Sequence, residues 1–169
     1  MFEDEASFWV DGTLHQTWAR TGKQPHVDTY GERKTAHIYG AISLQDAKFR
    51  FQFATGFNAQ TFHMFLKHLV QHSAQRKVFL IIDSAPWHNL DEDGVRWLNA
   101  NRAKIELSRL PKYSPEFNPM EGVWKLTRKR ATHNRFFATP DQRDMKLRKT
   151  FKRFQQHPLL ILPQVSRFQ

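Results

Sequence analysis

Three carboxylates in this 169-residue chain stand where chemistry could be done: Asp4, Asp83 and Glu121. Asp4 is the one carboxylate on an otherwise apolar face of an alternating stretch, with Phe2, Ala6, Phe8 and Val10, while Glu3, Glu5, Ser7 and Trp9 take the other face. Asp83 closes the apolar run Val78 to Ile82, which reads as a strand covered on both faces and central in its sheet. Ligand sites in open α/β sheets form beyond the carboxyl ends of such strands. Glu121 falls in the first turn of a helix announced by Asn118 and Pro119. Each position also has a plain structural reading: a solvated strand-end acid at Asp4, a turn-starting acid at Asp83, and at Glu121 a capping-box acid reaching back to the Asn118 N–H.

If the three acids converge in a low-dielectric cleft, they repel one another and stay protonated unless divalent cations neutralise them. The chain has no cysteine, and His68 and His72, although four residues apart, lack a third ligand at a standard spacing. Hard oxygen ligands then point to Mg²⁺ or Mn²⁺. Two such ions about 4 Å apart activate an attacking oxygen and stabilise a leaving one, the two-metal route for cutting and joining phosphodiesters. That route needs no covalent enzyme intermediate, so the lack of an obvious activated nucleophile is no obstacle.

The elements that must position these acids are legible as an α/β pattern. Residues 35–44 and 48–55 read as two strands around a short Gln45-Asp46-Ala47 turn, the second with Phe49, Phe51 and Phe53 inward, and with residues 2–10 they form an antiparallel meander. A second extended piece is expected around Trp18. Residues 58–72 have helical spacing, with Phe62, Phe65, Leu66 and Leu69 on one stripe. The apolar strand 78–82, a helix over 90–99, a strand over 105–110 and the helix carrying Glu121 follow. Thr139-Pro140 opens a last helix to about Gln155, striped by Leu147, Phe151 and Phe154. The tail, HPLLILPQVSRFQ, is apolar enough to pack on the core. The order is β, β, β, α, β, α, β, α, α.

Composition sets the outer limits. With 40% hydrophobic residues and fifteen Phe, the chain is globular and the size of one domain. It shows no run of eighteen apolar residues and no leader pattern, so the expectation is a cytoplasmic protein with neither membrane nor small-molecule partner. The net charge of +10 is concentrated: residues 122–156 carry eleven Lys/Arg against two Asp/Glu. A basic segment of this kind suits a polyanion, most often nucleic acid. The candidate phosphate contacts are Lys112, Lys125, Arg128, Lys129, Arg130, Arg135, Lys146 and Lys149. On the last helix, Arg143, Lys146, Arg148, Lys149, Lys152 and Arg153 cover much of the surface outside the apolar stripe.

FEDEASF, TWARTGKQP, YGAISL, LIIDSAPWH and above all LPKYSPEFNPMEGVWKLTRK resemble the catalytic domain of DDE transposases of the mariner superfamily, in particular its bacterial insertion-sequence branch. The resemblance covers residues 1 to about 130. It implies a ribonuclease-H-like fold with a mixed five-stranded sheet, strands 1–3 as an antiparallel meander and strands 4 and 5 parallel, flanked by helices. It further implies two Mg²⁺ or Mn²⁺ ions, DNA as partner (transposon ends and target), transfer of a freed 3′-hydroxyl to target DNA, a homodimer when active, and location at the nucleoid. Residue by residue, Asp4, Asp83 and Glu121 fall on the family's catalytic, metal-holding acids. Glu5, on the opposite strand face, His88 and Asn118 take supporting places, His88 as a neighbour of the site or a phosphate contact and not as a metal ligand. Asp83 and Glu121 have 37 residues between them, slightly more than the usual mariner spacing. The expected division is a catalytic domain over 1–131 and a basic helical extension over 132–169, without the helix-turn-helix module that family members carry ahead of the catalytic domain. A purely hydrolytic nuclease of the same fold and a non-catalytic DNA-binding remnant are the alternatives.

Overall fold

The computed structural model describes all residues except 12, 30, 32–33, 74–75, 112–114 and 169. Its centre is a five-stranded sheet in the order β3-β2-β1-β4-β5. β1 (Phe2–Trp9), β2 (Thr35–Ile42) and β3 (Phe49–Ala54) form the antiparallel meander, and β4 (Val78–Ile82) and β5 (Ile105–Arg109) add in parallel on the other side of β1. The first strand in sequence is thus the middle strand in space. β4 lies one place further out and Phe79 is 58% exposed, so its unbroken apolar run does not mean full cover on both faces.

Helices cover both faces of the sheet. On one face lies α1 (Ala59–Gln71), whose Phe62, Phe65, Leu66 and Leu69 pack with Tyr39, Ala41, Leu80, Ile82 and Ile105. Its start is a capping box in which the Asn58 side chain accepts from Thr61 N–H at 2.9 Å and Thr61 Oγ1 accepts from Asn58 N–H at 3.1 Å. α2 (Glu92–Ala100) follows, capped by Asp91, which accepts from Gly94 N–H at 2.8 Å. On the other face lie α3 (Met120–Ala131), α4 (Pro140–Gln156) and the short α5 (Leu162–Val165). Phe8, Phe49, Trp124, Phe151 and Phe154 form an aromatic centre there, and Ile161 and Val165 of the tail close it.

Two expectations change. The stretch around Trp18 forms no strand, and Trp18 is fully exposed. Arg143 is buried, not part of a basic surface: its guanidinium donates to the Phe8 and Lys34 carbonyls and pairs with Asp144 at 2.8 Å, so it ties α4 to the β1 backbone and to the residue just before β2.

Gly40 of β2 stands opposite Asp4 in the ladder, and the Trp124 indole lies directly over it. A Cβ at position 40 would stand 2.6 Å from Trp124 Cη2 and 2.8 Å from Met120 Cε, closer than packed carbons tolerate. Gly40→Ala is therefore expected to cost about 1–3 kcal/mol by overpacking. Thermal melting checks this, and an unchanged midpoint would mean that Trp124 does not press on this backbone.

Candidate functional site

The three acids come from three elements with separate reasons for their places. The β1–β4 ladder is a single pair among the described residues, Phe2 with Ile81. Two residues further along each strand, Asp4 and Asp83 face the point where the two strands part. Such a split between adjacent strands is where open sheets hold ligands. Asn118, 4% exposed, fixes the third element: its Nδ2 donates to the Glu3 carbonyl at 2.9 Å and its Oδ1 accepts from Met120 N–H at 3.0 Å. The start of α3 is thereby pinned to the backbone beside Asp4. Contrary to the capping-box reading, Asn118 caps as an Asx turn and Glu121 does not reach back. Glu121 Oε2 instead lies 3.5 Å from Lys125 Nζ, with the side chain 44% exposed.

Electrostatics link the three. The Asp4 carboxyl is pushed up to about 7, by burial first and then by the charge of Glu5, with Asp83 and Glu121 adding to the rise. Asp4 therefore senses both partners. They are charged neighbours without forming a closed ligand set: the group whose ligand atoms all lie within 4.8 Å of one another, among the described residues, is Glu3, Glu5 and His88. Arg128, half-buried and 5.3 Å over the Phe8 ring, is the nearby cation. Burial lowers its pKa, while Asp4 and Glu121 oppose the fall.

His88, in the 3-10 turn Pro86–His88, bridges the two sides of the split. Its Nδ1 is 3.0 Å from Asp83 Oδ1, and its Nε2 is 2.9 Å from Glu5 Oε1 and 3.2 Å from Glu3 Oε2. Burial alone would lower the imidazole pKa, but the Asp83, Glu3 and Glu5 carboxylates around the ring outweigh it and raise it. In return His88 holds Asp83 below the usual carboxylate range, against some burial and with help from the Ala85 N–H at 2.8 Å. Glu5 also accepts a short hydrogen bond from the Trp87 indole. Sequence reasoning missed Glu3. Alternation put it on the face opposite Asp4 with Glu5, Ser7 and Trp9; Ser7 and Trp9 are exposed, but Glu3, on the central strand next to His88, is 0% exposed with its pKa raised, chiefly by burial.

Of the candidate phosphate contacts, Lys112 lies outside the described residues. Lys125, Lys129, Arg135 and Lys149 are exposed, and Arg128, Arg130 and Lys146 are half-buried. Arg130 sits 5.9 Å over the Phe154 ring. The Lys146 pKa is lowered, by burial and then by Arg135 and Lys149, which places three cations of two elements in one field.

A mixed sheet in the order β3-β2-β1-β4-β5 with helices on both faces is the ribonuclease-H-like fold. Residues 1–144 match the DDE superfamily endonuclease family, and the chain belongs to it. No curated protein matches. Solved structures of the same fold include the Mos1 mariner paired-end complex with Mn, at TM-score 0.69 and 15% identity over 98% of this chain and 51% of that one. The Mos1 strand transfer complex gives 0.67 and 15% over 98% and 50%. A pre-cleavage Mos1 transpososome gives 0.64 and 13% over 98% and 53%. The chain thus spans about half the length of these relatives. Among its described residues no helix is long and apolar enough to cross a membrane.

The raised Asp4 pKa has a testable sign. Between pH 3.8 and about 7 the unfolded chain ionises Asp4 while the folded chain keeps its proton, so stability falls as pH rises through this window. Glu3 acts in the same direction. Melting in chelator should show this decline, and Asp4→Asn should flatten it. Added Mg²⁺ should raise the midpoint more at pH 8 than at pH 5; an equal gain at both would contradict the assignment.

Proposed function

We propose that this chain is the catalytic domain of a DNA transposase, cutting DNA at transposon ends and joining the freed 3′-hydroxyl to target DNA, with Asp4, Asp83 and Glu121 holding two Mg²⁺ or Mn²⁺ ions. The observation that carries the proposal is Asp4: a half-buried carboxyl on the middle strand of the sheet, repelled by three other acids. The donors are carboxylate oxygens without sulfur, which suits hard divalent cations. When bound, such ions sharpen an attacking oxygen and stabilise a leaving one.

The remaining work falls to the chain itself. Asp83, held ionised by His88, presents a fixed carboxylate at the strand end. Glu121 faces the cleft from α3, freed from any capping duty and half-exposed. Arg128 stands where a phosphate approaching Asp4 and Glu121 would meet a positive charge. Lys129, Arg135, Lys146 and Lys149 hold the DNA backbone without reading bases. Residues 1–131 act as the catalytic unit and 132–169 as its basic extension, in a cytoplasmic protein that works at DNA as a homodimer.

The test is incubation of the protein and Mn²⁺ with nicked transposon-end DNA and a target plasmid. Joined product is expected, lost in Asp83→Asn and Glu121→Gln with the fold intact by circular dichroism. Cut ends that are never joined would mean a purely hydrolytic nuclease, and binding indifferent to all three acids would mean a remnant. DNA affinity should fall linearly with salt on a logarithmic plot, and Lys146→Ala with Lys149→Ala should reduce the slope by about 0.9 per lost contact. A flat salt dependence would remove the basic face from the account.

A further inference from the structure

The Glu3, Glu5 and His88 group stands on the opposite side of β1 from Asp4, and the DDE reading makes no use of Glu3. Its two carboxylate oxygens are fully buried and receive no hydrogen bond. His88 Nε2 lies 3.2 Å away, but the single proton it can carry is directed at Glu5 Oε1. One imidazole shared between two buried acids compensates Glu3 only in part, and a folded protein relieves such a carboxylate with a further donor or a cation.

We infer that Glu3, Glu5 and His88 form a separate buried site for one first-row divalent transition metal of the Zn²⁺, Co²⁺ or Mn²⁺ class, with His88 Nε2 and one oxygen of each glutamate as ligands. The separations of 2.9 and 3.2 Å between Nε2 and the two glutamate oxygens match the edges of a coordination shell; metal–ligand bonds of about 2.0–2.2 Å place neighbouring ligands roughly 3 Å apart. The ion takes the place of the Nε2 proton.

The surrounding contacts are those such a site needs. The other ring nitrogen, Nδ1, faces Asp83 Oδ1 at 3.0 Å, the carboxylate-to-histidine contact that fixes the tautomer of a metal-bound imidazole. The Trp87 indole N–H donates to Glu5, orienting the second ligand. The Phe62 ring lies 4.5 Å from the imidazole and shuts out water. One imidazole and two carboxylates favour a transition metal over Mg²⁺. With every ligand at most 6% exposed, the ion is installed as the chain folds and is structural. It also braces the histidine that orients Asp83, yet it does not depend on the triad holding ions of its own.

The test is metal content by mass spectrometry after unfolding in chelator, refolding with Zn²⁺ or Co²⁺, and exhaustive dialysis. The Asp4→Asn, Glu121→Gln double variant, which lacks two of the three triad acids, is expected to keep one equivalent. Adding Glu3→Gln, or separately His88→Gln, is expected to remove it. The Co²⁺ form should show visible absorption of nitrogen and oxygen coordination that vanishes with the same changes. Metal content unaffected by Glu3→Gln in a folded protein, or no retained equivalent in the double variant, would overturn the site.

Discussion

Three acids in a row, Glu3-Asp4-Glu5, run through the central strand of the sheet, and the fold has to neutralise them. Alternation sends Asp4 to the α3 face and its two neighbours to the α1 face, and at this level of the central strand both faces are partly or fully covered. Desolvation would protonate all three unless cations or donors stand beside them. The molecule responds differently on each side. On the α1 face it supplies His88 and Trp87. On the α3 face it supplies Arg128 and places Asp83 and Glu121 near Asp4, which adds negative charge where positive charge is lacking. Like charge gathered at one point in this way suits a cation, which is the basis of the proposed metal site.

The scaffold explains why this concentration survives folding. The α3 face of the sheet is an aromatic cluster of Phe8, Phe49, Trp124, Phe151 and Phe154, and such packing offsets the cost of an unpaired carboxyl nearby. Gly40 leaves room for the edge of the Trp124 indole against the strand opposite Asp4, and Asn118 bonds α3 to the Glu3 carbonyl. Arg143 does the same for α4 by spending its donors on the β1 backbone and on the residue just before β2. The helices that carry Glu121 and the basic surface are therefore fastened to the very strand that carries Asp4.

Much of this was legible in the sequence because it is local. The alternation of residues 49–53, the stripe of α1, the cap at Thr139 and the order of elements are short-range patterns, and the structure keeps them. What needed three dimensions was neighbourhood. The apolar run of β4 suggested a central strand, but the place went to β1, whose acids disguise its burial. Glu3 looked solvated for that reason. Arg143 resembles its cationic neighbours on α4, and nothing in the spacing shows that its partners are carbonyls of β1 and the residue before β2. The capping-box pattern at Asn118 and Glu121 was present in sequence, yet the asparagine satisfies the helix start alone.

The central claim is that Asp4, Asp83 and Glu121 hold divalent ions together. Anomalous diffraction from crystals grown with Mn²⁺ tests it most directly. The account predicts manganese peaks at the parting of β1 and β4, within ligand distance of Asp4, Asp83 and Glu121. No density at that point, or ions whose ligands omit Asp4, would contradict it.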